Sequence, residues 1–209
     1  SVGDRFDVNP GATINVSAGT VGNNLDAFLD STLIISGGIV GDEVDVFENA
    51  TAVITGGTVG QEFDAREGSS VEISGGTIGG GFRASPGGEV TLFVTEASID
   101  GIDLGIGPGE SMEITQRGGA LLEATLEDGS PFDLQLNESF ISGEDFITSE
   151  AMIIVTISGD PVDFNGDGVV DLIDVIAFVT EFLVAPNNPA LDFDGNGVVD
   201  IRDLIRFLA

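Results

Sequence analysis

The strongest constraint on this chain is a spacing of 19 residues. Val2-Gly3, Val21-Gly22, Val40-Gly41, Val59-Gly60 and Ile78-Gly79 recur at that interval. With these Val and Ile residues as position 1, the apolar columns line up. Position 5 reads Phe6, Leu25, Val44, Phe63, Phe82, and position 7 reads Val8, Ala27, Val46, Ala65, Ala84. Position 13 reads Ile14, Leu33, Ala52, Val71, Val90, and position 15 reads Val16, Ile35, Ile54, Ile73, Leu92. Alternating apolar positions mark short strands, and Gly37-Gly38, Gly56-Gly57 and Gly75-Gly76 read as corners where positive φ is available. One such repeat cannot bury its own apolar side chains, so copies must stack. The expectation is a mainly β fold: a parallel β-helix over residues 1–96, with five coils and a height of roughly 24 Å at one strand spacing per coil. The general preference for right-handed parallel crossovers sets the expected hand.

Position 6 carries Asp7, Asp26, Asp45 and Asp64, then Arg83. Stacked in register, these carboxylates would form a ladder with rungs roughly 5 Å apart, where like charges repel unless protonated or bridged by cations. Two readings stand: a solvated acidic face closed by an Asp64–Arg83 pair, or an accessory stripe for cations or a partner. Arg66 and Arg83 beside Asp64 form the best catalytic constellation on offer. Near-identical coils without long inserted loops build no substrate cleft, however, and a fold shared with enzymes supplies no site. The expectation is therefore no enzymatic activity. Gly79-Gly80-Gly81 reads as a corner rather than a phosphate cradle, since no Lys or helix follows it.

Charge narrows the partners. Six Arg against 36 acidic residues give a net charge of −30. Such a field repels nucleic acid and anionic membranes, and it opposes compaction unless cations screen it. No apolar run reaches membrane-spanning length. The chain has no His, Cys, Lys, Tyr or Trp. This removes Ser-His-Asp and Cys-His catalysis, Schiff-base lysine, disulfides and the usual zinc sites. Ser1 in place of Met, with no signal-peptide pattern, reads as a processed chain or an excised segment.

Beyond Thr95 the register ends. Residues 97–159 still read as strands: Ile102 to Ile106, Ser111 to Ile114, Leu121 to Leu126, Phe132 to Leu136 and Met152 to Ile157. Glu127-Asp128-Gly129-Ser130 reads as a hairpin turn between two alternating runs. This segment is expected to be a β cap over the last coil, whose open end would otherwise expose backbone and core. No such cover precedes Val2. An exposed first coil is a template for another chain, which predicts head-to-tail association with a second copy and growth into filaments. Asn15-Val-Ser17, Asn49-Ala-Thr51 and Asn137-Glu-Ser139 match glycosylation sequons, which carry meaning only in a glycosylating secretory route.

The last segment, residues 160–209, holds the most specific motif. Asp163-Phe-Asn-Gly-Asp-Gly-Val-Val-Asp-Leu-Ile-Asp174 recurs as Asp192-Phe-Asp-Gly-Asn-Gly-Val-Val-Asp-Ile-Arg-Asp203. Oxygen side chains at loop positions 1, 3, 5, 9 and 12, with glycine at 6, are how a short loop wraps calcium. The first Ca2+ site would use Asp163, Asn165, Asp167, Asp171 and Asp174, with the Val169 carbonyl at position 7. The second would use Asp192, Asp194, Asn196, Asp200 and Asp203, with the Val198 carbonyl. Apolar stripes follow each loop: Val175, Ile176, Phe178, Val179, Phe182 and Leu183, then Leu204, Ile205, Phe207 and Leu208. They predict one exiting helix per loop. Calcium loops of this kind suit the calcium levels outside cells, so secretion or a cell-surface location is expected.

These residues resemble a type I dockerin, whose tandem half EF-hands end in Asp at position 12, as Asp174 and Asp203 do. The resemblance covers residues 163–209. It implies calcium-dependent folding and, in many members, docking to a cohesin module. Cohesin recognition in the family leans on loop positions 10 and 11, commonly Ser/Thr. Here they are Leu172 and Ile173, then Ile201 and Arg202, which favours a hydrophobic intramolecular or subunit contact. As a whole the chain resembles secreted bacterial β-solenoid proteins with dockerin-like tails. The leading expectation is an extracellular, calcium-stabilised structural protein that forms a filament, matrix or surface layer. The rivals are a dockerin-bearing protein that binds or degrades polysaccharide and a cell-surface adhesin.

Overall fold

The computed structural model describes residues 1–159, 172–184, 188, 191, 195, 197–199 and 201–207. The chain divides into two compact units, Ser1–Leu104 with Ser111–Thr156, and Gly105–Glu110 with Ile157–Ala209.

The first unit is a parallel β-solenoid with the predicted period. Its first coil holds β1 (Phe6–Val8), β2 (Thr13–Val16) and β3 (Thr20–Val21). The next three hold β4 (Leu25–Ala27) with β5 (Thr32–Val40), β6 (Val44–Val46) with β7 (Thr51–Val59), and β8 (Phe63–Ala65) with β9 (Ser70–Ile78). The fifth holds β10 (Arg83–Ala84) and β11 (Glu89–Ile99). Each strand pairs in parallel with its equivalent 19 residues on, so that Phe6 faces Leu25, Leu25 faces Val44 and Val44 faces Phe63. Ile14, Leu33, Ala52, Val71 and Val90 align in the same way. Equivalent positions of successive coils therefore stack on one another. From coil 2 upward the predicted columns at positions 5, 7, 13 and 15 are buried throughout. Phe63 and Phe82 lie face to face at 5.3 Å inside the core.

The corners differ from expectation. The glycine pairs do not separate strands: β5, β7 and β9 each run nine residues through them. The pairing register slips there, between Ile35 and Ile39 and again between Ile54 and Thr58. The second glycine of each pair has positive φ, as do two further columns. One is Arg5, Asn24, Glu43, Glu62 and Gly81; the other is Gly11, Asp30, Asn49, Gly68 and Gly87. Each of the first four coils thus turns at three left-handed residues. Asn and Asp accept that conformation more readily than other side chains, which suits Asn24, Asp30 and Asn49 to these corners. Arg5, Glu43 and Glu62 give no such signal. Gly57 is required on two counts: its φ is +88°, and a Cβ would stand 2.9 Å from the backbone of Gly37 one coil below.

Residues 97–157 complete the unit with β12 (Ile102–Asp103), β13 (Ser111–Glu113), β14 (Ala120–Leu126), β15 (Pro131–Leu136), β16 (Phe146–Ile147) and β17 (Met152–Ile157). The predicted hairpin is β14–β15, antiparallel around Glu127–Ser130, and β14 also pairs with the far half of β11. The expected strand Ile102 to Ile106 is only the two residues of β12, because Gly105 turns left-handed at φ +69°.

One element escaped the sequence reading. β16 continues the six-stranded sheet in parallel with β10, and β17 lies beside β11 in the eleven-stranded sheet. Thr148 N–H donates to Ala84 and Met152 N–H to Gly88, the bonds that successive coils make below. Residues 146–157 are thus a further turn, laid on the fifth coil after the hairpin.

Polar clamps lock the insertion down. Asp145 accepts from the backbone N–H of Phe82 at 2.8 Å, Gly81 at 3.1 Å and Gln135 at 2.9 Å. Arg117 donates to the carbonyls of Ile114, Ala151 and Thr148. Asp128 accepts from Gly76 N–H at 2.7 Å and Ser130 N–H at 2.9 Å. Burial pushes the Asp128 carboxyl up, but those bonds from Ser130 and Gly76 outweigh it and hold the group below its ordinary value. Gly81 and Phe82 are buried, so Asp145→Ala would leave two backbone donors without a partner. Urea denaturation should show a loss of about 2 kcal/mol or more; a loss below about 0.5 kcal/mol would mean that water replaces the carboxylate.

The second unit contains α1 (Leu172–Val184) and α2 (Ile201–Phe207). Phe178 and Leu191 are fully buried, with Val175, Val179, Phe182 and Val199 packed around them. Ile176 and Leu183, placed in the same stripe from sequence, are mostly exposed. They lie off the face that carries Val175, Phe178, Val179 and Phe182, as a period of 3.6 residues dictates for those offsets.

Candidate functional site

The outer face of the six-stranded sheet carries three parallel columns of side chains, because alternate residues of each short strand point away from the core. The middle one is the predicted ladder. Asp7 faces Asp26, Asp26 faces Asp45, Asp45 faces Asp64 and Asp64 faces Arg83, all in register. Beside it run the left-handed corner residues Asn24, Glu43 and Glu62, and on the other side Phe28, Phe47 and Arg66.

The two arginines divide the ladder. Arg66 donates to both oxygens of Asp45 at 2.8 Å and reaches Asp64 at 3.1 Å. Its guanidinium lies over the Phe47 ring at 5.5 Å, and that ring stacks on Phe28 at 5.0 Å. Arg83 reaches Asp64 at 3.4 Å and Glu62 at 3.2 Å, with Phe140 5.1 Å away. The expected Asp64–Arg83 pair is present, and Arg66, expected beside Asp64, also ties Asp45, which the spacing did not reveal. Asp64 itself is only 7% exposed. Burial raises its carboxyl above the ordinary value, with Asp45 adding to this and Arg83 and Arg66 pulling against it. Asp26 is raised by burial first, then by Asp45 and Asp7. Among the described residues no arginine forms an ion pair with Asp26.

Asn24, Glu43, Asp45, Glu62, Asp64, Arg66 and Arg83 line an open groove of about 230 Å³. That falls below the ~300–1,000 Å³ of typical small-ligand clefts. Its carboxylates are already committed to guanidinium groups, so Asp45 and Asp64 do not form a free acid–base pair.

A second ladder runs along the neighbouring corner. Asn23 N–H donates to Asp4, Asp42 N–H to Asn23 and Gln61 N–H to Asp42, at 2.8 to 3.1 Å. These side chains satisfy backbone donors at each turn, a structural use of Asx residues.

For the calcium loops, Asp163, Asn165, Asp167, Val169, Asp171, Asp192, Asp194, Asn196 and Asp200 lie outside the described residues. Of the remaining ligand positions, Val198 is exposed, whereas Asp174 and Asp203 are fully buried in the first turns of α1 and α2. A carboxylate withdrawn from water needs donors or a cation around it. Full burial of both position-12 residues therefore suits the donor set of a calcium loop. Among the described residues no three carboxylates gather into a preformed metal site. No described helix is long and apolar enough to cross a membrane.

The chain matches no family model, no curated protein and no solved structure.

Proposed function

We propose that this chain is an extracellular, non-catalytic structural protein, with a right-handed solenoid as its rigid body and a tail of two dockerin-like calcium loops. The observation that carries the reading is the ladder face, where Asp45 and Asp64 are tied to Arg66 and Arg83. Charge spent on holding coils together is not available for chemistry. In this reading calcium held by Asp163 to Asp174 and Asp192 to Asp203 screens the acidic tail and organises its helices.

Self-association extends the proposal. On the first coil Val2 is 43% exposed, and Phe6 and Ile14 are part-exposed. A further coil, from a second copy or from preceding chain, would cover them and pair the free edges of β1 and β2. Electron microscopy and sedimentation of residues 1–209, in calcium and then in chelator, test this. Filaments or higher oligomers in calcium are expected, and monodisperse monomers in both conditions would overturn the self-association.

The dockerin-like loop spacing supports a second reading, in which the tail anchors a polysaccharide-binding or polysaccharide-degrading protein to a cohesin-like module. Cohesin pull-down and a screen for reducing ends or unsaturated sugar products separate the two readings.

A further inference from the structure

The ladder is not uniform along its length. In coils 3 to 5 every rung touches a guanidinium: Asp45 and Asp64 on Arg66, Asp64 again on Arg83. Among the described residues, no ladder carboxylate of coils 1 and 2 pairs with a guanidinium. Arg5 heads the neighbouring corner column but is not among the charges acting on Asp26, and position 8, which supplies Arg66 higher up, holds Asn9 and Phe28 there. Asp26 on β4 is therefore a carboxylate stacked between two others. Asp7 on β1 faces it from below and Asp45 on β6 from above. Glu43 lies on the adjacent corner, and Arg66 acts on Asp26 only from a distance.

We propose that this column is a proton-operated latch on the first two coils. Uptake of one proton from solvent by the Asp26 carboxylate turns its repulsion into an O–H donor. That donor hydrogen-bonds a carboxylate oxygen of Asp7, since both oxygens of Asp45 already accept from Arg66, and no covalent bond other than the new O–H is formed or broken. Parallel strands set the rungs about 4.8 Å apart, a spacing that side-chain rotation closes to the ~2.6 Å of a carboxyl–carboxylate bond. Coils 3 to 5 do not respond, because guanidinium groups already occupy their acceptors.

The direction of the effect follows from the group's environment. The Asp26 carboxyl is raised above 3.8 by burial, Asp45 and Asp7, so the folded chain holds this proton more tightly than the unfolded chain. The stabilisation is complete below the unfolded value and is lost as pH rises through the folded one. Acidification from neutral to below 3.8 should therefore firm the Ser1 side of the solenoid.

Hydrogen exchange on the full chain at constant calcium, corrected for intrinsic rates, tests this coil by coil. Protection of Leu25–Ala27 should rise as pH falls from 7 toward 3.8, by about tenfold for each pH unit by which the folded carboxyl stands above its unfolded value. Protection of Phe63–Ala65 should change less than about twofold over the same range. Asp26→Asn, an uncharged mimic of the protonated side chain, should bring acid-level protection to pH 7 and abolish the pH response. Arg66→Gln should extend the response upward to Val44–Val46. Equal responses of β4 and β8 in the unmodified chain would overturn the latch, as would an Asp26→Asn chain that keeps the full pH response. Should Asp26→Asn fail to fold, the β4–β8 contrast in the unmodified chain decides alone.

Discussion

Phe63→Ala is expected to lower the unfolding free energy by about 3–5 kcal/mol. Phe63 is fully buried, lies in the fourth of six stacked rungs and shares its face with Phe82. Truncation opens a cavity that neighbours cannot fill, because Val44 below it and Ala65 two residues along are held by parallel pairing. The consequences spread further than in a globular core. A solenoid is stabilised chiefly by contacts between adjacent coils, so a weak rung uncouples the turns on either side. Urea titration should therefore show a lower midpoint and a broader transition. A loss under about 1 kcal/mol would mean that the column is less tightly packed than its burial implies.

Removing calcium should have the other large effect. Each loop concentrates four aspartates, Asp163, Asp167, Asp171 and Asp174, then Asp192, Asp194, Asp200 and Asp203. Under the proposed calcium reading, these carboxylates repel one another once the cation is removed. With calcium about a thousandfold above its dissociation constant, mass action contributes about 4 kcal/mol per site. Chelator should abolish the circular-dichroism signal of α1 and α2 while leaving the solenoid's β signal unchanged. An undiminished helical signal in chelator would show that the tail folds through its Phe178–Leu191 core alone.

The solenoid was legible because its information is local and repeated. A strand three residues long is ambiguous once, but Leu25, Val44, Phe63 and Phe82 at one spacing leave one way to bury them all. The β14–β15 hairpin was legible from its turn, where Gly129 supplies the left-handed residue at φ +84°. The additional turn at residues 146–157 was hidden because it follows the fifth coil after a long insertion, so no fixed period reaches it. Asp145 and Arg117 were hidden for a related reason: their partners are backbone atoms of distant strands, and backbone leaves no trace in residue type.

At the ladder, the sequence yielded the in-register aspartates and the Asp64–Arg83 contact. It did not reveal Arg66 as a tie between Asp45 and Asp64, because that side chain leans across from another column. Nor did it reveal the burial of Asp64. In the tail, spacing alone singled out Asp174 and Asp203, and their full burial is a fact that residue type did not announce. The exposure of Ile176 and Leu183 shows that an apolar stripe read from a list of residues can be broader than the face that packs.

The three left-handed corners per coil also bear on how long such a molecule can be. Every turn begins and ends with the same backbone geometry, so neither neighbour can distinguish one turn from another. Insertion or excision of one whole turn would leave both flanking surfaces matched, whereas one residue added within a strand would turn the inward side chains beyond it in that strand outward. Extra chain is accommodated where it loops out between turns, as the stretch before β16 does, so the regular body can lengthen only by whole turns.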